Sequence, residues 1–109
     1  PAVSKAALKM MRRTIKYKWR LQSRTQCSLK AIAVAINPIM QGWINYYGRF
    51  YKSALYPILR CLEHRLVRWA VRKYKGLKRS RKRAMNWLAR IARKQPDLFA
   101  HWRSFHAIG

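Results

Sequence analysis

The chain has 109 residues, 26 of them Lys or Arg against two acids, for a formal net charge of +24. That length holds one small domain, and with 50% hydrophobic residues the chain is too apolar for a disordered basic tail. Its two isolated acids, Glu63 and Asp97, cannot supply the clustered carboxylates of two-metal polymerase and nuclease sites, so the chain is a binder or one piece of an enzyme whose catalytic acids lie elsewhere.

Ser4 is the predicted N-cap of a first helix through about Lys18. Leu8, Met11, Ile15 and Trp19 recur on it at helical spacing, and Lys5, Lys9, Arg12, Arg13 and Lys16 cover the remaining face. Gln22 to Gln26 reads as a loop. Ser28 then caps a short helix with Leu29, Ile32, Ala33 and Ile36 on one side. Asn37-Pro38 reads as a restart, with Asn as N-cap and Pro at the first helical position. The next helix, about Pro38 to Tyr47, carries a stripe of Ile39, Trp43 and Tyr46 and stops at Gly48. No charge appears from Ala31 to Gly48, which marks this stretch as interior.

Ser53 opens the longest predicted helix, which runs to about Lys75 and is closed by Gly76, with Pro57 near its first turn. Leu55, Leu59, Leu62, Leu66 and Trp69 step by four, three, four and three, forming a packing seam. Arg72 to Arg83 holds 8 basic residues among 12. Ser80 caps a last long helix with Ala84, Trp87, Leu88 and Ile91 inward, and Pro96-Asp97 starts a final turn carrying Phe99 and Trp102. There is no period-two strand pattern, so the expected class is all-α, a small bundle of about four to five helices.

A solvated basic face normally has acids interspersed, and here almost none are. The charge therefore points to nucleic-acid binding through phosphate contacts that release counterions. The expected contacts are Lys9, Arg12, Arg13 and Lys16 on the first helix, and Arg72, Lys73, Lys75, Lys78, Arg79, Arg81, Lys82 and Arg83 around the dense segment. Arg49 and Lys52 are expected between the two clusters, with Tyr47 and Tyr51 beside them as candidates for stacking on bases. Trp43 and Tyr46 are assigned to the core. A basic membrane-surface helix fits less well, because the charge is spread over every helix.

His64, His101 and His106 form no metal-ligand set, and surface or satisfied histidines are the expectation. Cys27 and Cys61 make neither a disulfide framework nor a CxxC pair, which suits a reducing cytoplasm. The longest apolar run, Ala31 to Ile36, is far short of the ~20 residues needed to span a bilayer. The chain begins Pro1-Ala2-Val3, without an initiator Met, and reads as a piece of a longer polypeptide.

The segment from Asn37 to Tyr51, NPIMQGWINYYGRFY, resembles the maturase-specific domain of bacterial group II intron reverse transcriptases, also called domain X or thumb. Pro1 to Ser4, Arg68 to Lys75, Trp87-Leu88 and Pro96 to Trp102 resemble further signatures, so the likeness covers nearly the whole chain as a single domain. Asn37, Pro38, Gly42, Trp43, Asn45 and Tyr46 carry the central motif. Met40-Gln41 stands where the pattern has an apolar residue followed by Arg.

The resemblance implies a parent that is an RNA-directed DNA polymerase and splicing maturase. Its fingers and palm would carry the catalytic aspartates. Its helical thumb would grip the template–primer duplex and bind intron RNA. The chain alone is then expected to have no enzymatic activity, no cofactor and no metal. A structural RNA-packaging protein of ribosomal type is the alternative. The uncharged aromatic centre, Ala31 to Gly48, is a feature such extensions rarely require.

Overall fold

The computed structural model describes residues 3–49 and 52–105, among which there are five α-helices and no strand. Helix α1 spans Lys5–Arg13 and continues as a π-helical stretch, Thr14–Trp19. Helix α2 spans Leu29–Tyr47, α3 Tyr56–Lys73, α4 Arg81–Lys94 and α5 Ala100–Ser104. Three of them start as local chemistry dictates. The hydroxyls of Ser4, Ser28 and Ser80 accept the backbone N–H groups of Ala7, Ala31 and Arg83 at 3.1, 3.0 and 3.1 Å.

The π-helical stretch widens the turn after Arg13 and keeps Ile15 and Trp19 on the buried side with Met11. Arg20 ends it in the left-handed region, φ 48° and ψ 50°, which a residue with a side chain adopts at a cost of about 1–2 kcal/mol. Arg24 reaches back and donates its Nε–H to the Trp19 carbonyl at 2.7 Å, satisfying one orphan acceptor of the helix end. The Arg24 carbonyl in turn accepts the indole N–H of Trp69 at 2.8 Å, tying this loop to α3.

Helix α2 departs from the sequence reading. It runs without a break through Asn37-Pro38 and, at 19 residues, is one longer than α3. Pro38 removes one intrahelical hydrogen bond, to the carbonyl of Val34. Both residues are exposed, so the lost bond falls on the solvent side of the helix and not in the core. Continuity shifts the phase of the second half. The buried line is Leu29, Ile32, Ala33, Ile36, Met40 and Ile44, whereas Ile39 and Tyr46 face outward. The charge-free segment is therefore interior on one face only, with Val34 66% and Tyr46 78% exposed. Gly48 does end the helix. A Cβ there would lie 2.7 Å from the Ile44 carbonyl oxygen and 3.1 Å from Leu55 Cδ1.

A short 3-10 turn, Lys52–Leu55, leads into α3, whose seam of Leu55, Leu59, Leu62, Leu66 and Trp69 is fully buried as its spacing requires. The helix ends at Lys73, with Tyr74 extended and a 3-10 turn over Lys75–Leu77, so the break falls earlier than at Gly76. Leu77 is buried and anchors the turn. Helix α4 buries Ala84 and Leu88, with Trp87 and Ile91 half-buried.

Helix α5 is a wedge between α2 and α3. Asn37 donates its amide N–H to the Leu98 carbonyl and accepts the Ala100 N–H, both at 2.9 Å. One turn on, Gln41 Oε1 accepts from Arg103 at 3.2 Å. On the α3 side, Glu63 Oε1 accepts the Trp102 indole N–H at 2.9 Å. Phe99, Ala100, His101 and Trp102 are all buried there.

Candidate nucleic-acid interface

The charge on the exposed surface is almost wholly positive. Of the two acids, Glu63 is turned inward against Trp102, with its second oxygen 3.6 Å from His101 Nε2, and Asp97 lies exposed beyond the end of α4. Among the described residues other than Arg49, no Lys or Arg side chain is ion-paired with a carboxylate.

The structure separates the expected contacts into three regions. Lys9 and Arg13 are exposed on α1, with Arg12 and Lys16 half-buried beside them. Arg72, Lys75, Lys78, Arg79, Arg81, Lys82 and Arg83 are exposed around the turn from α3 to α4. Arg83 donates to the Gly76 carbonyl at 3.3 Å, which bends its guanidinium back over the turn. Arg49 and Lys52 are exposed just before α3, and the dense segment starts at the other end of that 18-residue helix, at Arg72. Lys52 Nζ sits 5.8 Å from the ring centre of Phe105. Tyr51 lies outside the described residues.

Four residues do not stand where the sequence placed them. Lys73 donates to the carbonyls of Thr25 and Cys27 at 2.7 and 3.0 Å and lies against the rings of Trp69 and Tyr74, so its ammonium is engaged inside the protein. Tyr46 and Tyr47 exchange places relative to the core. The unbroken α2 turns Tyr46 outward, while Tyr47 is half-buried against the core, with the two rings edge-to-face at 4.8 Å. His101 is neither exposed nor satisfied. It is 0% exposed, and neither ring nitrogen has a hydrogen-bond partner.

The central motif divides likewise. Trp43 is half-buried and stacks on Trp19, ring centres 5.5 Å apart and planes within 14°. Asn37 is half-buried and clasps the approach to α5, not the start of a new helix. Pro38, Gly42 and Asn45 are exposed, and a Cβ on Gly42 would meet nothing within 4 Å. Gln41 bridges Asn45, at 2.9 Å, and Arg103. Met40 before it is fully buried.

Several functional candidates escaped the sequence reading. Tyr17 is 69% exposed on the π-helical stretch, among Lys16 and Lys18. Its position off the apolar line was the available signal. Arg60, His64, Arg68 and Arg72 recur every fourth residue along the exposed side of α3. Arg81 at the start of α4 acts on that row. The imidazole of His64 is held below the ordinary histidine value by partial desolvation, then by the charges of Arg81, Arg65 and Arg68.

A model of the group II intron, maturase-specific domain matches residues 8–95. The chain belongs to that family. The maturase-specific match runs from within α1 through α4 and takes in the whole central motif, while the partners of Asn37, Leu98 and Ala100, fall just beyond it. No curated protein and no solved structure matches the chain. No helix among the described residues of this maturase-specific domain is long and apolar enough to cross a membrane.

Proposed function

We propose that this domain is the RNA-binding module of a group II intron reverse transcriptase and maturase. It binds intron RNA to promote splicing and serves as the polymerase thumb on the template–primer duplex. One observation supports this above the rest: an all-helical scaffold with 26 Lys and Arg residues against two acids, one of which, Glu63, points inward. Phosphate backbones supply the missing anions. A-form RNA hides its bases in a deep, narrow major groove, so backbone and shape recognition dominate over base readout. The domain then acts as a scaffold. Its cations screen phosphates where RNA helices converge, and the RNA performs the transesterifications. Polymerase chemistry belongs to the fingers and palm of the parent protein.

A salt titration of RNA binding tests this reading. If about eight cations meet phosphates, log K falls against log salt with a slope near ~−7 on duplex DNA and a smaller one on single strands. Changing Arg79, Arg81, Lys82 and Arg83 together to Gln weakens every RNA complex and lowers the slope by up to about four. The matched control, Lys30, Arg90 and Arg93 to Gln, leaves the slope nearer the parent value. Equal losses in both variants would mean that affinity follows net charge alone, with no defined surface.

A further inference from the structure

We propose that His64, Arg65, Arg68 and Arg81 form a seat for a backbone phosphate of RNA, and that filling it is coupled to protonation of His64. The proposal rests on the RNA-binding reading above and adds a site to it. Its first basis is placement. His64 and Arg68 are one turn apart on the exposed side of α3, and the half-buried Arg65 lies next to His64 in sequence. Helix α4 packs on α3. Its first residue, Arg81, follows directly on the Ser80 cap and the buried anchor Leu77.

The second basis is electrostatic. The charges of Arg81, Arg65 and Arg68 all act on the His64 imidazole, and Arg60 stands one turn before it on the same exposed side of α3. The one carboxylate of α3, Glu63, is engaged by Trp102 and His101. The first turn of α4 contains no acid. The partial positive charge of that helix start therefore adds to the cluster. Like charges held together without a counter-ion repel. A phosphate placed among them reverses the field at His64.

The chemistry follows from that reversal. In the free protein the surroundings disfavour the imidazolium, by desolvation and then by the charges of Arg81, Arg65 and Arg68. A bound phosphate favours the imidazolium, which donates a charge-assisted hydrogen bond to a phosphate oxygen. Binding therefore takes up a proton from solvent. By linkage, affinity rises as pH falls through the histidine range.

The test measures the affinity of the whole chain for a short RNA duplex by fluorescence anisotropy, at fixed salt, from about pH 8 to about pH 5.5. The unaltered chain, His64→Gln and Arg68→Gln are compared, with folding checked by circular dichroism. In parallel, NMR follows the His64 imidazole with and without the duplex. The unaltered chain should bind about three- to tenfold tighter at the acid end, since each unit by which phosphate raises the imidazole pKa is worth about tenfold. His64→Gln should lose the acid gain, its affinity varying by less than about twofold across the pH range. Arg68→Gln should weaken binding across the range, and the His64 midpoint should rise when RNA is added. An acid gain that survives in His64→Gln, or a midpoint that RNA leaves unmoved, overturns the seat while RNA binding stands. No RNA binding at any pH overturns the RNA reading and the seat with it.

Discussion

Asn37 and Ala100 are joined across 63 residues of sequence: the amide Oδ1 of the first accepts the backbone N–H of the second at 2.9 Å. The same side chain donates to the Leu98 carbonyl at 2.9 Å, so one amide holds both polar groups of the strap that leads into α5. Ala100 is the first residue of that helix, and its N–H has no intrahelical acceptor.

Asn37→Ala leaves a buried donor and acceptor without partners and lowers stability by about 1–3 kcal/mol. Asn37→Asp keeps the bond from Ala100 but loses the donor to Leu98, and falls between the two. Urea unfolding followed by Trp fluorescence reads both, because Trp102 rides on the released segment. Equal stability of Asn37→Ala and the parent chain would show the clasp to be idle.

Trp43 and Tyr46 separate stability from binding. Trp43→Ala loses a half-buried ring and its stacking on Trp19. About 2–3 kcal/mol should go, less than for a fully buried Trp. Tyr46→Ala, at an exposed position, changes stability by less than about 0.5 kcal/mol. If its ring stacks on an unpaired base, it weakens single-stranded RNA binding by about 1–3 kcal/mol. Thermal melts and anisotropy titrations of the two variants give the comparison.

Lys73 and Lys75 offer a second separation within one basic segment. Lys73→Met strips the Thr25 and Cys27 carbonyls of their donor and costs about 1–3 kcal/mol of stability, with RNA affinity nearly unchanged. Lys75→Gln leaves the melt unchanged and lowers affinity and salt slope by about one phosphate contact. The reverse pattern would return Lys73 to the interface.

Stability of the free chain should depend on pH through His64. Its folded-state pKa is lowered, chiefly by desolvation and then by Arg81, Arg65 and Arg68. The unfolded chain therefore takes up this proton first as pH falls. The contribution is complete above the ordinary histidine value and is lost as pH falls through it toward the folded-state value. Denaturant midpoints at about pH 7.5 and about pH 5.5 should converge in His64→Gln relative to the parent chain. Parallel shifts in both proteins would assign the effect to another group.

What the sequence showed follows the range of the interactions. The Ser4, Ser28 and Ser80 caps and the α3 seam involve residues within one or two turns, so local pattern was enough. Asn37-Pro38 was not decidable that way, because an N-cap and a partner for a distant strap look alike locally. Misreading it rotated the second half of α2 and exchanged Tyr46 with Tyr47. Lys73 and His101 were misplaced for the same reason: their surroundings come from Thr25 and Cys27 in one case and from Glu63 in the other. The cationic character of the interface was plain in composition. The effect of the Arg81 charge on His64 was not, because it depends on how α4 folds back on α3.

The α5 wedge also sets an order of events in time. Ala100 is synthesised 63 residues after Asn37, a delay of about 3–13 s at about 5–20 residues per second. During those seconds α1, α2 and α3 exist without the piece that fits between the last two. The cations of α1 are complete before the interior can close, so a polyanion near the growing chain meets its charge first and its finished shape second.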